Sequence, residues 1–125
     1  MNILPNADKI IISIEKLIGY ALNLDKQPDK ALLFDIVLGY NISNAEELIA
    51  NINSNIKNLK SVEKKADKYG KRYQVIMNLT GANNREANVL TGWVIEKEGG
   101  NPRLTTLYVT NRKAERVNQN ENRTI

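Results

Sequence analysis

The spacing of apolar residues changes once along this chain, near residue 60, and that change restricts the fold more than any motif. Before it, Ile14, Leu17, Ile18, Ala21 and Leu22 recur at helical intervals, as do Ala45, Leu48, Ile49, Ile52, Ile56 and Leu59. After it, Tyr73, Val75, Met77 and Leu79 alternate with Arg72, Gln74, Asn78 and Thr80. A period of 3.6 lays apolar side chains along one stripe of a helix, and a period of 2 lays them on one face of a strand. Helices followed by strands, with no alternation between them, predict an α+β fold of two layers. Three N-terminal helices would then pack on one face of a four-stranded antiparallel meander.

Local signals set the boundaries. Ser13 is a suitable cap for the first helix. Asp29 can cap the second, Ala31–Leu38, in which only Asp35 interrupts the apolar run, so this helix is expected to be buried on most sides. Gly39 suits the left-handed position after it. Ser43-Asn44-Ala45-Glu46 has the pattern of a capping box for the third. The predicted strands are Ser61–Asp67 (a charged edge), one through Tyr73–Leu79, Ala87–Glu96 and Arg103–Thr110. The turns between them fall at Tyr69-Gly70, Thr80–Arg85 and Glu98–Pro102. Residues 1–110 read as one domain, and 111–125, which lacks apolar periodicity, as a flexible basic tail.

Composition removes several chemistries. The 125 residues include no histidine and no cysteine. A zinc site built on imidazole or thiolate is excluded, as are Ser-His and Cys-His nucleophiles and any disulfide framework. No metal or cofactor is expected. The absence of cysteine is compatible with the cytosol, and Met1–Lys9 lacks the pattern of a signal peptide. A cytoplasmic protein without membrane association is expected. The formal net charge is +4, and its densest basic stretch is Lys60–Arg72, with six cations against Glu63 and Asp67. Such a stretch suits phosphate contact, and it equally suits a solvated edge hairpin protected by lysines.

Four constellations can carry chemistry. Thr91 and Trp93 share one face of the third strand, as Thr106 and Tyr108 share one face of the fourth. Hydroxyls beside aromatic rings suit a nucleotide. The same residue types also favour strands, and Val89, Trp93 and Ile95 read equally as an inward face. Arg103, after Pro102, can donate a fork of hydrogen bonds to phosphate. Lys30 stands in the first turn of the second helix, where the helix dipole disfavours a cation. Lys68, Tyr69, Lys71 and Arg72 interleave cations with tyrosine around a turn. Two patterns are set aside. Glu63-x-Lys65 lacks the preceding acidic strand of a metal nuclease, and no helix follows Gly99-Gly100 to cradle a phosphate.

Several short matches occur in one order. They are Leu4-Pro5-Asn6-Ala7, Lys16-Leu17 with Tyr20-Ala21-Leu22-Asn23, Lys30-Ala31 with Phe34, Tyr69-Gly70-Lys71-Arg72-Tyr73, Trp93-Val94-Ile95, and Pro102-Arg103-Leu104 with Thr106 and Tyr108. Together they resemble a bacterial domain family of unknown function. Its members stand alone or form C-terminal modules of polymorphic-toxin and phage-head-associated proteins. A glycine often precedes that family's Lys-Ala pair, and Pro28 and Asp29 occupy the stretch here. The element order is also similar to the barnase, EndoU, colicin and RelE-like ribonucleases, some of which cut RNA with Lys, Arg and Tyr. The resemblance implies a toxin-like, RNA-binding, metal-independent endoribonuclease. Lys30, Thr91, Arg103, Thr106 and Tyr108 would be its catalytic set, with Lys71 as an alternative to Lys30. Lys68, Tyr69, Lys71, Arg72 and Trp93 would contact RNA, with tRNA among the candidate substrates. A small antitoxin or immunity protein would be the cognate partner. The alternative is a non-catalytic protein-binding module that docks through the open sheet face or the strand Ser61–Asp67. An immunity role fits the basic balance less well.

Overall fold

The computed structural model describes residues 3–115. After a short 3-10 turn at Ala7–Lys9, helix α1 starts at Ile14–Lys16 and runs on as a π-helical stretch, Leu17–Ala21. Helix α2, Pro28–Leu33, likewise continues as a π-helical stretch, Phe34–Leu38. Helix α3 is Ala45–Asn55, flanked by 3-10 turns at Ile42–Asn44 and Ile56–Asn58. Strands β1 (Ser61–Asp67), β2 (Gly70–Thr80), β3 (Glu86–Ile95) and β4 (Arg103–Thr110) form one antiparallel sheet in the order β1-β2-β3-β4. Three helices followed by a four-stranded meander make the predicted α+β fold.

One sheet face meets the helices. Tyr73, Val75, Met77 and Leu79 of β2 pack with Val89, Trp93 and Ile95 of β3 and Leu104 and Leu107 of β4. Leu17, Phe34, Leu38, Leu48, Ile52 and Ile56 close that core from the helices. Trp93 is fully buried, as is Thr91, the polar residue among these apolar side chains. The Thr91 hydroxyl donates to the Val75 carbonyl at 2.7 Å and accepts from Trp93 Nε1 at 2.8 Å. Both polar groups are thereby satisfied where water cannot reach.

Four local expectations are corrected. The cap position of α2 is Gln27, not Asp29, because the helix starts one residue earlier at Pro28. Helix α2 buries Ala31, Phe34 and Leu38 but leaves Leu32, Leu33 and Ile36 at least 41% exposed, so it is covered on one side only. In α1, Ile18 turns outward. The Leu22 N–H bonds to the Leu17 carbonyl, five residues back, so the wider π turn stacks Leu22 on Leu17 and rotates Ile18 away. The capping box uses Asn41 and Asn44 instead of Ser43 and Glu46. The Ser43 N–H donates to Asn41 Oδ1 at 2.9 Å, and the Asn41 N–H donates to Asn44 Oδ1 at 2.8 Å. Gly39 takes the left-handed conformation expected of it, at φ 70°.

The ends of the sheet are tied to distant segments. Ile11 bridges Arg103, its N–H bonding the Pro102 carbonyl and its carbonyl accepting from the Leu104 N–H. Beyond β4, the chain returns to the start of β1. There the Lys60 N–H donates to the Glu115 carbonyl at 2.8 Å, and the two side chains form an ion pair at 3.6 Å. The rest of the expected basic tail, residues 116–125, lies outside the described residues. No helix among the described residues is long and apolar enough to cross a membrane.

Candidate functional site

The register decides which strand residues can meet a ligand. Trp93 lies opposite Leu104, Thr91 opposite Leu107 and Val89 opposite Val109, all on the helix-covered face. Thr106 lies opposite Gly92, Tyr108 opposite Leu90 and Arg103 opposite Val94, on the other face. Thr91 and Trp93 are therefore parts of the core, and the expectation that they share a surface with Thr106 and Tyr108 is corrected. Neither can touch a macromolecular substrate at zero exposure.

Between Leu104 and Thr106 the ladder slips by one residue at the Gly92/Trp93 step, leaving Thr105 as a bulge. A bulge bends a strand and re-aims its side chains. Thr105 Oγ1 donates to the Gly92 carbonyl at 3.2 Å. Glycine is required opposite the bulge, because a Cβ at position 92 would stand 2.9 Å from the Thr106 Cβ. The missing side chain lets both threonines sit close to β3.

Strand β4 is an outer strand of the sheet, and a groove of about 230 Å³ runs between it and the helices. One wall is Leu104–Tyr108, including Thr105, Thr106 and Tyr108. The other is formed by Lys16, Leu17, Tyr20 and Ala21 of the first helix and by Gln27 and Lys30 at the start of α2. The π turn in α1 and the Pro28 start of α2 thus bring two separate helix ends to one strand. Lys30 reaches over the Tyr108 ring, with Nζ 4.6 Å from its centroid. Such a contact holds the ammonium in place through the negative face of the ring. No Asp or Glu lines the groove among the described residues, and neither Lys16 nor Lys30 is ion-paired there. The groove therefore presents two uncompensated cations, two hydroxyls, one amide and two phenols.

The other expected residues lie elsewhere. Arg103 is ion-paired with Glu96 and does not line the groove. Lys68, Tyr69, Lys71 and Arg72 cluster at the β1–β2 turn, where Lys68 and Arg72 stand 5.2 and 5.7 Å from the Tyr69 ring centroid. Asp67 organises that turn. It accepts from the Tyr69 N–H at 2.9 Å and from Arg72 Nε at 2.9 Å. The Tyr69 amide first, and the Arg72 guanidinium after it, hold the Asp67 carboxyl below its ordinary range. Arg72 also donates through Nη1 to Thr105 Oγ1 at 3.4 Å, so the turn cluster touches the back of the bulge. Lys30, Thr106 and Tyr108 are thus brought together. Lys16, Tyr20, Gln27 and Thr105 are wall residues that sequence reasoning did not assign to the site. The Lys16-Leu17 and Tyr20-Ala21 matches were the available signal for two of them.

No curated protein and no solved structure matches this chain significantly. The model of a domain of unknown function, DUF6883, matches residues 3–111, and the chain belongs to that family.

Proposed function

We propose that the groove binds RNA and supports metal-independent cleavage of its backbone, in the manner of a toxin ribonuclease. The observation that carries this reading is the pairing of Lys16 and Lys30 with Thr105, Thr106 and Tyr108 around one concavity that no carboxylate lines among the described residues. A polyanion gains most where cations have no internal partner to give up. The 2′-OH of a bound nucleotide attacks the adjacent phosphorus. The new O2′–P bond forms as the P–O5′ bond breaks, giving a 2′,3′-cyclic phosphate and a 5′-OH. The 2′-OH proton leaves to water, and the Tyr108 phenol donates a proton to the departing O5′. Lys30 and Thr106 hold the non-bridging oxygens as charge builds on them. Arg103, outside the groove and paired with Glu96, contacts a flanking phosphate at most.

The test is cleavage of a labelled RNA in EDTA by the wild-type chain, Lys30→Ala, Tyr108→Phe and Arg103→Ala. Expression of the same four in a bacterium, with growth and total RNA followed, completes it. Strong loss for the first two variants and a small loss for Arg103→Ala are expected. Intact RNA and equal growth with all four would defeat the proposal.

A second reading, a protein-docking module, draws on β1, whose seven residues are exposed except Ser61 and which ends one side of the sheet. An exposed strand edge can accept a partner's strand. Under that reading the co-purifying species is a polypeptide, such as a small antitoxin, and Lys30→Ala leaves its capture unchanged.

A further inference from the structure

We infer that the groove takes one unpaired nucleotide, with its base stacked on Tyr20 and its edge held by Gln27, and that stacking makes it prefer adenine. This rests on the reading of the groove as an RNA site and goes further by naming the substrate form and the residues that select it.

The argument begins with what the two groove tyrosines have left to offer. One face of the Tyr108 ring is taken by the Lys30 ammonium at 4.6 Å. Tyr20 has no such neighbour among the described residues and is 51% exposed at the groove wall. Bases that have left a helix stack on aromatic rings of this kind, whatever their sequence. The free stacking surface is therefore on the helix side, opposite the strand that carries the hydroxyls. That division places a base against α1 and its phosphate against Lys30 and Thr106.

Size points the same way. A concavity of about 230 Å³ is smaller than the range for drug-sized ligands, so it admits a single base with part of its backbone, not a duplex. An intact A-form helix would keep its bases paired and out of reach of Tyr20.

Gln27 supplies a polar contact for the base edge. It stands at the cap position of α2 yet makes no side-chain cap bond, although its backbone carbonyl accepts from the Ala31 N–H. Its amide has no hydrogen-bond partner among the described residues, and it lies in the same wall as Tyr20 and Lys30. A carboxamide offers one acceptor beside a donor, which matches the N6 donor and N7 acceptor of adenine. Cytosine and uracil also present a donor beside an acceptor on the edge that an unpaired base exposes, so the carboxamide holds any of these bases, and the preference for adenine comes from its larger ring on Tyr20.

The experiment measures binding of fluorescein-labelled rA6, rC6, rU6 and a hairpin duplex by anisotropy. The proteins are the full chain, Tyr20→Ala, Tyr20→Phe, Gln27→Ala and Lys30→Ala. Tyr20 and Gln27 are outside the core, and circular dichroism confirms that each variant is folded. The wild-type chain should bind rA6 more tightly than the hairpin and than rC6 or rU6. Tyr20→Ala should weaken rA6 by about fivefold or more while Tyr20→Phe retains it. Gln27→Ala should weaken the three hexamers alike, by about threefold or more. If Lys30→Ala weakens binding but Tyr20→Ala and Gln27→Ala behave as wild type, the nucleotide assignment is wrong and the RNA groove stands. If the hairpin binds best, the assignment is again wrong. If the wild-type chain binds none of the four, both readings fall together.

Discussion

The buried hydroxyl of Thr91 offers the sharpest test of which strand residues belong to the site. Thr91→Val keeps the shape of the side chain and removes its hydroxyl. The Trp93 indole N–H then loses its acceptor at 2.8 Å, and the Val75 carbonyl loses a donor at 2.7 Å. An unsatisfied buried N–H costs about 1–3 kcal/mol and a lost neutral hydrogen bond about 0.5–1.5 kcal/mol. Together they predict a destabilisation of about 2–4 kcal/mol, which lowers the melting temperature by roughly 8–15 °C in a chain of this size. Thr91→Ser keeps the hydroxyl and loses one buried methyl, at a cost of about 1 kcal/mol. The order of stability should therefore be wild type, Ser, Val, whereas apolar transfer alone would place Val first. Urea unfolding followed by far-UV circular dichroism measures it, and Trp93, the one tryptophan of the chain, reports the same site by fluorescence. RNA binding per folded molecule should not change in either variant. A Val variant as stable as wild type would refute the bonding described.

Other outcomes follow from the same geometry. Lys16→Ala and Lys30→Ala should each weaken binding of every RNA tested and each lower the slope of log affinity against log salt by about 1, read from titrations at several ionic strengths. Gly92→Ala should destabilise the fold by about 1–3 kcal/mol, because the added Cβ would stand 2.9 Å from the Thr106 Cβ; amide shifts at Thr105 and Thr106 would locate the disturbance. The Asp67 carboxyl should titrate below an unstructured aspartate in carbon-detected NMR, and Arg72→Ala should raise it only in part, since the Tyr69 N–H is the larger cause. Because its folded value is depressed, the stability it contributes is present above the unfolded value and is lost as pH falls through the folded one. Asp67→Asn should remove that part of the acid limb, and an unchanged limb would contradict it.

Much of the architecture could be read before any coordinates, for identifiable reasons. Strand β4 has the predicted ends because Pro102 stops pairing before it and its own pattern alternates. The face of β3 was not legible, because Val89–Ile95 are seven consecutive buried residues. Leu90 and Val94 are as buried on the far face as Trp93 is on the near one, so there is no alternation to show which way Thr91 points. The groove was half legible. Lys30, Thr106 and Tyr108 were singled out by residue type, whereas Tyr20 and Gln27 join them only because a π turn and a proline-started helix converge on one strand. Neither convergence leaves a periodic trace in the sequence.

The Ile11–Arg103 bridge joins positions 92 residues apart, and the groove walls are almost as widely separated along the chain. During synthesis, all three helices and the first three strands are made before any residue of the second wall. The groove is therefore the last part of the fold that the chain can complete. A translation product that stops short of Arg103 lacks one whole wall and has no groove.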